Sequence, residues 1–297
     1  MAISENNDML GQTFKKFREA REVTLKEAGY GSSVSALSRF ERGQTNLNNQ
    51  ALNTVMTNIG VVPADLRIDS IMFYSPFIKS LGIIKALRLG LSLDRAKGAV
   101  ALYRSSTADH EYPLRDLNTA VFEWMIKSYE ANEELRMPAD LQKQISRVLI
   151  NNHAWYLYDY NLFSFVMNFL DTDVIVQAYH SLRAHEHFRE NTPYADDIAF
   201  VMWHVGLALV MRGVSELLPT VQKDIIRFRD AMTDRQGPLI SNLVLALVVE
   251  KEAPSPAHTA RVAQALNAPK IIGMPNLAEF CQLIVNKAHG AKAGVII

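Results

Sequence analysis

The sequence predicts an all-α protein: a small N-terminal helical domain ahead of a longer array of helix pairs. Three observations carry that expectation. Glycine and proline are sparse, 14 and 11 in 297 residues. Few segments alternate apolar and polar residues with the period of a strand. Many repeat apolar residues at i, i+3 and i+4, the spacing of an amphipathic helix. The length is too great for one small module and suits two domains.

Composition narrows the class. Lys and Arg number 31, as do Asp and Glu, so the net charge is zero. That argues against a wholly basic nucleic-acid binder but leaves room for one basic face on one domain. Apolar residues make up 48% and charged residues 21%, which sets the chain well away from disorder. Cys281 is the single cysteine, so neither an intrachain disulfide nor a zinc site built on several cysteines can form. The first ten residues have no basic segment followed by an apolar one, so no signal peptide is expected. The most apolar stretch, 200–210, contains His204 and is flanked by Asp196 and Arg212. It falls far short of the ~20 residues of a membrane span. The expectation is a soluble, cytoplasmic protein with no membrane partner.

Residues 1–66 read as one domain of short helices. The first runs from about Leu10 to Arg21, with Leu10, Phe14 and Phe17 on one face. Thr24 and Glu27 have the spacing of a capping box for a short second helix through Ala28. Residues 30–32 read as a turn. Ser33 caps a third helix that stops at Gly43. A fourth runs from about Asn48 to Asn58, ahead of Gly60 and Pro63.

Residues 67–297 read as a second domain of longer helices. Its boundaries fall at Pro76, Asp94, Pro113, Pro138, Asp171, Pro193, Pro219, Pro238, Pro256 and Pro275, several of them at a first helical turn, where proline is tolerated. The spacing is roughly 40 residues per helix pair, near the period of tetratricopeptide or HEAT-like arrays. No clean internal sequence repeat accompanies it, and a large irregular bundle is the competing shape.

The most informative stretch is 10–43, LGQTFKKFREAREVTLKEAGYGSSVSALSRFERG. It holds three short helices, a small residue (Ala28) in the second, and a glycine turn. In the third, Leu37 and Phe40 face inward, leaving Ser33, Ser35, Ala36, Ser38 and Arg39 on the other side. Small polar residues with one arginine suit a helix entering a major groove, since they let the backbone approach while arginine chelates guanine O6 and N7. Lys15, Lys16, Arg18, Arg21, Lys26, Arg39 and Arg42 outnumber four glutamates by three, enough for phosphate contact on one face. Lys15 and Lys16 are adjacent, so only one can meet a given phosphate.

This stretch resembles the Cro/repressor-type helix-turn-helix. LSRFERG (37–43) after SVSAL resembles specifically the Rgg/GadR/MutR regulators, and HAWYLYDYNLFSF (153–165) is similar to a segment of the same family's C-terminal domain. The resemblance spans essentially the whole chain. It implies a recognition helix over Val34 to Arg42 capped by Ser33. It also implies a partly buried ion pair, Arg18 with Glu41, that locks the first helix onto the third. DNA contacts are then expected from Lys15, Arg21, Ser33, Ser35, Ala36, Ser38, Arg39 and Arg42, against solvated charge for the basic ones. Two departures stand out: Leu25 occupies a position where the wider superfamily often has a phosphate-binding glutamine, and the turn before Leu37 is about one residue short.

The resemblance further implies a tetratricopeptide-like helical-repeat domain that binds a short signalling peptide on a concave surface and dimerises. In some branches the effector is unknown, or regulation follows acid or glutamate. Position points to Asn151, Asn152, His153, Tyr156, Asp159 and Tyr160 as effector-binding residues. Asparagine can pair with a peptide backbone in both senses, and tyrosine offers an aromatic face with a polar end. Trp155, Leu162, Phe163 and Phe169, at helical spacing, read as core.

His180, His185 and His187, with Glu186 and Glu190, admit a metal, a pH-sensing or a merely solvated reading. His-x-His puts its rings about 200° apart on a helix, and no HExxH is present, so no metal is expected. No phosphate loop, GxSxG, GxGxxG or CxxC occurs, Cys281 reads as a buried thiol, and neither catalysis nor a cofactor is expected. The expected function is a DNA-binding transcriptional regulator, a homodimer placing two recognition helices ~34 Å apart on double-stranded DNA, with RNA polymerase as a further partner this reading allows. The rivals are a regulator answering to a small molecule, pH or a partner protein, and an adaptor that no longer binds DNA.

Overall fold

In the computed structural model the described residues are 2–61, 76–89, 92–108, 114–150, 154–185, 188, 194–230, 232 and 236–291. Among them all regular structure is helical. The chain divides into two compact units, Met1–Lys79 and Ser80–Ile297. The boundary expected near residue 66 lies outside the described residues.

The N-terminal unit holds α1 (Ala2–Ala20), α2 (Leu25–Ala28), α3 (Val34–Glu41) and α4 (Asn49–Ile59). The helix starts follow the expected chemistry. Thr24 Oγ1 accepts from Glu27 N at 3.2 Å, and Glu27 Oε2 accepts from Thr24 N at 2.8 Å, completing the capping box. Ser33 Oγ accepts from Ala36 N and Asn48 Oδ1 from Ala51 N. Helix α3 ends in a Schellman turn. Gly43, at φ +73°, sends its N–H to Phe40 O while Gln44 N reaches back to Arg39 O. By contrast, α1 begins at Ala2 rather than Leu10, because its polar first turns carry no apolar period to read.

Leu10, Phe14, Ala28, Leu37, Phe40, Val55, Met56, Ile59 and Val61 form this unit's core. Phe14 and Phe40 meet edge to face, with ring centroids 5.4 Å apart. Gly11 makes the close crossing of α1 and α3 feasible, since a Cβ there would lie 1.9 Å from the Phe40 carbonyl oxygen.

The C-terminal unit is a helical-repeat array. After α5 (Pro76–Lys85), which straddles the division, come α6 (Leu93–Ser106), α7 (Arg115–Ala131), α8 (Ala139–Ile150), α9 (Leu157–Val166) and α10 (Thr172–Ala184). Then follow α11 (Ala195–Arg212), α12 (Leu218–Arg229), α13 (Gly237–Glu252), α14 (Pro256–Ile271) and α15 (Pro275–Ala288). Pro76, Pro219, Pro238, Pro256 and Pro275 all sit in first turns, while Pro113 and Pro193 lie outside the described residues. Pro138 and Pro254 lie just ahead of helices, and Pro269 lies inside α14. Most of the long helices pack on a neighbour in sequence or on the next but one, and α11 is the hub, touching α9, α10, α12, α13 and α15.

Residues 201–210 of α11 are buried on every side, as expected of a helix apolar all round. The segment is core: among the described residues no helix is long and apolar enough to cross a membrane. Gly206 lets α12 and α13 approach it, its missing Cβ standing 2.8 Å from Ile225 Cδ1 and 3.0 Å from Val244 Cγ1. Hydrogen bonds between buried side chains join several of its helices. Tyr103 Oη accepts from Asn118 Nδ2 at 2.9 Å, and Asn118 Oδ1 accepts from Tyr158 Oη at 2.7 Å, tying α6, α7 and α9 together.

Two helical glycines separate close approach from backbone cost. Gly11→Ala drives a Cβ into the backbone of α3 and is expected to destabilise the N-terminal unit by roughly 1–3 kcal/mol. Gly98→Ala, in α6 with open space around it, is expected to stabilise the C-terminal unit by roughly 0.5–1 kcal/mol. Thermal melts of both variants check the opposite signs.

Candidate nucleic-acid interface and effector site

The fixed element of the N-terminal unit is α3. At about 100° per residue, Val34, Ser38, Arg42, Ser35 and Arg39 fall within one arc of about 140°. Phe40, Leu37 and Glu41 occupy the opposite side and are buried. Val34, Ser35, Arg39 and Arg42 are exposed and Ser38 is half-buried. Ala36 sits at the edge of the arc and is half-buried, less outward than the sequence suggested. Ser33 is exposed, but its hydroxyl caps α3 and lies 3.0 Å from Ser35 Oγ.

A buried ion pair sets the orientation of this helix. Arg18 Nε lies 2.7 Å from Glu41 Oε1 and Arg18 Nη2 2.8 Å from Glu41 Oε2, a bidentate fork. Arg18 Nη1 donates to Val23 O at 3.0 Å. The two side chains are only 11% and 5% exposed. The Glu41 hydrogen bonds raise the guanidinium pKa further above its ordinary value, against the opposing effect of burial. Arg18 is therefore charged wherever the protein folds.

The remaining basic residues are less uniformly placed. Lys15 is exposed and 3.8 Å from Glu19 on the next turn of α1. Arg21 is exposed, yet its Nη1 donates to Ile59 O at the C-terminal end of α4, so part of its donor set is engaged there. Leu25 packs against the core, and Asn58 Nδ2 holds the short turn after α2 by donating to the carbonyls of Ala28 and Tyr30 at 2.9 and 2.8 Å. Two exposed apolar side chains in this region, Tyr30 and Val34, went unmarked in the sequence, where a motif of small polar residues drew attention to the serines beside them.

In the C-terminal unit Asn151, Asn152 and His153 lie outside the described residues. Tyr156 is 55% exposed. Asp159, by contrast, is buried at the start of α9, where its Oδ2 accepts from Tyr156 N at 2.9 Å. That carboxylate is spent on a helix start. Tyr160 is buried against Trp155 and Tyr194, with centroids 5.9 and 5.6 Å away. Its hydroxyl is buried without a hydrogen-bond partner, and burial, then Asp159 and Asp197, push its pKa well above the usual phenol value. Tyr194, which stacks edge to face on Tyr156 at 6.4 Å, was not foreseen. It joins the two tyrosines only in three dimensions. Trp155, Leu162, Phe163 and Phe169 are core, as their spacing indicated.

His180 is exposed, and His185 is half-buried with its ring 6.3 Å from Trp155. His187, Glu186 and Glu190 lie outside the described residues. Among the described residues no three His, Cys, Asp or Glu side chains group as metal ligands. Cys281 is buried in α15, and burial pushes its thiol up to about 11, far from a reactive thiolate.

No family model matches the chain, and no curated protein matches it in sequence. Solved structures do. The pheromone receptor Rgg2 of Streptococcus dysgalactiae superimposes with a TM-score of 0.71 over 94% of this chain and 99% of that one, at 12% identity. The chain has the Rgg/PrgX fold. PrgX in its complex with cCF10 matches with a TM-score of 0.68 over 97% of this chain and 94% of PrgX, again at 12% identity. A candidate transcriptional regulator from Listeria monocytogenes EGD-e gives 0.73 over 95% and 97% of the two chains, at 15% identity. The Rgg/PrgX fold here is thus carried by helix placement with little sequence in common.

Removing one partner of the Arg18–Glu41 pair leaves the other charged and buried. Arg18→Ala or Glu41→Ala is expected to cost about 3–5 kcal/mol in the N-terminal unit, while the double change Arg18→Met with Glu41→Leu costs far less. Chemical denaturation of the three variants measures this.

Proposed function

We propose that the chain is a sequence-specific DNA-binding regulator whose activity is set by a ligand, a short peptide, bound to its helical-repeat unit. One observation carries the DNA half. The buried Arg18–Glu41 fork and the Gly11 crossing hold α3 with an exposed arc of serine and arginine outward. That arc has the chemistry for the major groove: Arg39 and Arg42 for guanine or phosphate, Ser35 and Ser38 to admit the backbone. Ser33, Ala36, Lys15 and Arg21 flank it.

The peptide half is supported by the fold. A structure sharing it is titled a complex of a bacterial peptide pheromone with its receptor, and it matches with a TM-score of 0.64 at 14% identity. In this chain Tyr156 and Tyr194, with the hydroxyl of Tyr160 behind them, offer an aromatic surface ending in a polar group, which suits a peptide side chain. Asn151, Asn152 and His153 adjoin it in sequence. A homodimer follows from the contact requirement, since one small domain makes too few base and phosphate contacts for useful specificity. A cytoplasmic location goes with this reading because that is where the DNA is.

The test is recovery and sequencing of genomic DNA fragments bound by the purified protein at stated salt. The expected result is an inverted repeat with half-sites about one turn apart. Arg39→Ala is expected to weaken that site by about 1–3 kcal/mol, roughly 5- to 150-fold, with little change in sequence-independent binding. Equal affinity of wild type and variant for every sequence would favour an adaptor. Thermal stabilisation by short peptides and not by metabolites would assign the ligand class.

A further inference from the structure

We infer that Val34, the first residue of α3, reads the 5-methyl group of thymine in the major groove. The inference rests on the DNA-binding reading and adds to it a base preference that the serines and arginines do not supply.

Tyr30 and Val34 are the exposed large apolar side chains of the N-terminal unit among the described residues, 81% and 40% exposed. Both lie at the entrance to α3, not scattered over the surface. Val34 stands at one edge of the arc of Ser38, Arg42, Ser35 and Arg39, so its exposed part adjoins those side chains. Its side chain is also held. Gly29 has no Cβ, and an added one would stand 3.1 Å from Val34 Cγ2 and 3.2 Å from Val34 Cα. One γ-methyl is therefore seated against the α2–α3 turn. A valine has one strongly preferred χ1 in a helix, so seating one methyl fixes the direction of the other. The turn is itself pinned to α4 by the two Asn58 hydrogen bonds.

A rigid methyl on the first turn of a groove-facing helix has one complementary partner on a base edge. Thymine carries a methyl at C5, while cytosine presents only C5–H beside its amino donor, and the purines present N7. Contact between the two methyls removes apolar surface from water on both sides. Burying a methyl-sized group contributes enough to change affinity about three- to fivefold. The recognised class is thus a 5-methylpyrimidine edge near each end of α3 reach, in both half-sites of a dimeric operator.

The recovered operator is resynthesised with deoxyuridine in place of each thymidine, one position at a time. Deoxyuridine removes the methyl and leaves base pairing unchanged. Wild-type protein is expected to lose about three- to fivefold at one symmetry-related position per half-site. Val34→Ala is expected to bind the thymidine and deoxyuridine operators equally, with its helical signal and melting intact. Indifference of the wild type to every deoxyuridine would overturn the inference, and so would unchanged sensitivity in Val34→Ala. Failure to recover any specific DNA is a different outcome: it removes the DNA-binding reading, and this inference with it. The deoxyuridine arm uses unaltered protein, so it stands even where the variant folds poorly.

Discussion

The N-terminal unit depends on how α1 holds α3. Two contacts share that work, and they are of opposite kinds. Gly11 lets the two backbones cross closer than any side chain would allow, and Phe14 meets Phe40 beside it. The Arg18–Glu41 fork then fixes rotation, because two parallel hydrogen bonds tolerate little twist. Burial of two charges costs several kcal/mol each before their attraction offsets it. Such a pair adds modestly to stability and substantially to orientation. Orientation is what the reading role proposed for α3 needs. A rotation of α3 by about half a turn would exchange the serine and arginine arc for Leu37 and Phe40.

The C-terminal unit is organised on another principle. Its hub, α11, is apolar on all sides through the middle and charged only at its ends. Asp196 and Asp197 lie in the first turn and Arg212 in the last, each complementing the helix dipole. Burial and then Asp196 push the Asp197 pKa up. At the other end, burial and then Arg136 push Arg212 down to about 10, still charged at neutral pH. Arg212 Nη2 donates to the carbonyls of Met167 and Asn168, so the hub is tied to the segment after α9 through backbone oxygens. Through residues 201–210 this helix has no free face, and Arg212 anchors its end. Around its N-terminal end Tyr194 meets Tyr156 and Tyr160.

Much of this was legible in the sequence, and the division is instructive. Caps and stops were readable because they act over three or four residues: Thr24 with Glu27, Ser33, Asn48, Gly43, and the prolines of the first turns. The Arg18–Glu41 pair was readable only through family resemblance. Nothing in two charges 23 residues apart announces a fork. The tyrosine group was half legible. Tyr156 and Tyr160 were marked, but Asp159 was assigned to a pocket when its carboxylate is needed to start α9. A charged residue three positions into a helix has a local use that competes with any ligand. The seating of Val34 and the work of Asn58 are invisible in the sequence because they depend on what lies across space: a side chain missing at Gly29, and two carbonyls left over by a short turn. Sequence periodicity reports which residues are buried. It does not report which exposed residues are held still.

On the proposed function, rigidity of α3 constrains how a ligand could regulate DNA binding. A ligand shifts an equilibrium only by its differential affinity for two states. If α3 and its arc have one arrangement, held by a close backbone crossing and a buried fork, the two states do not differ within the reading helix. Remodelling it would expose Phe40 and strand a buried charge, a cost above the ~1–3 kcal/mol typical of coupling between two sites. Regulation within that range has to act on how many arcs engage DNA together and in what register. Losing one half-site of a dimeric operator forfeits its base contacts without unfolding anything. On that proposal the affinity change is large while the structural change in each N-terminal unit is small, which a stiff α3 accommodates.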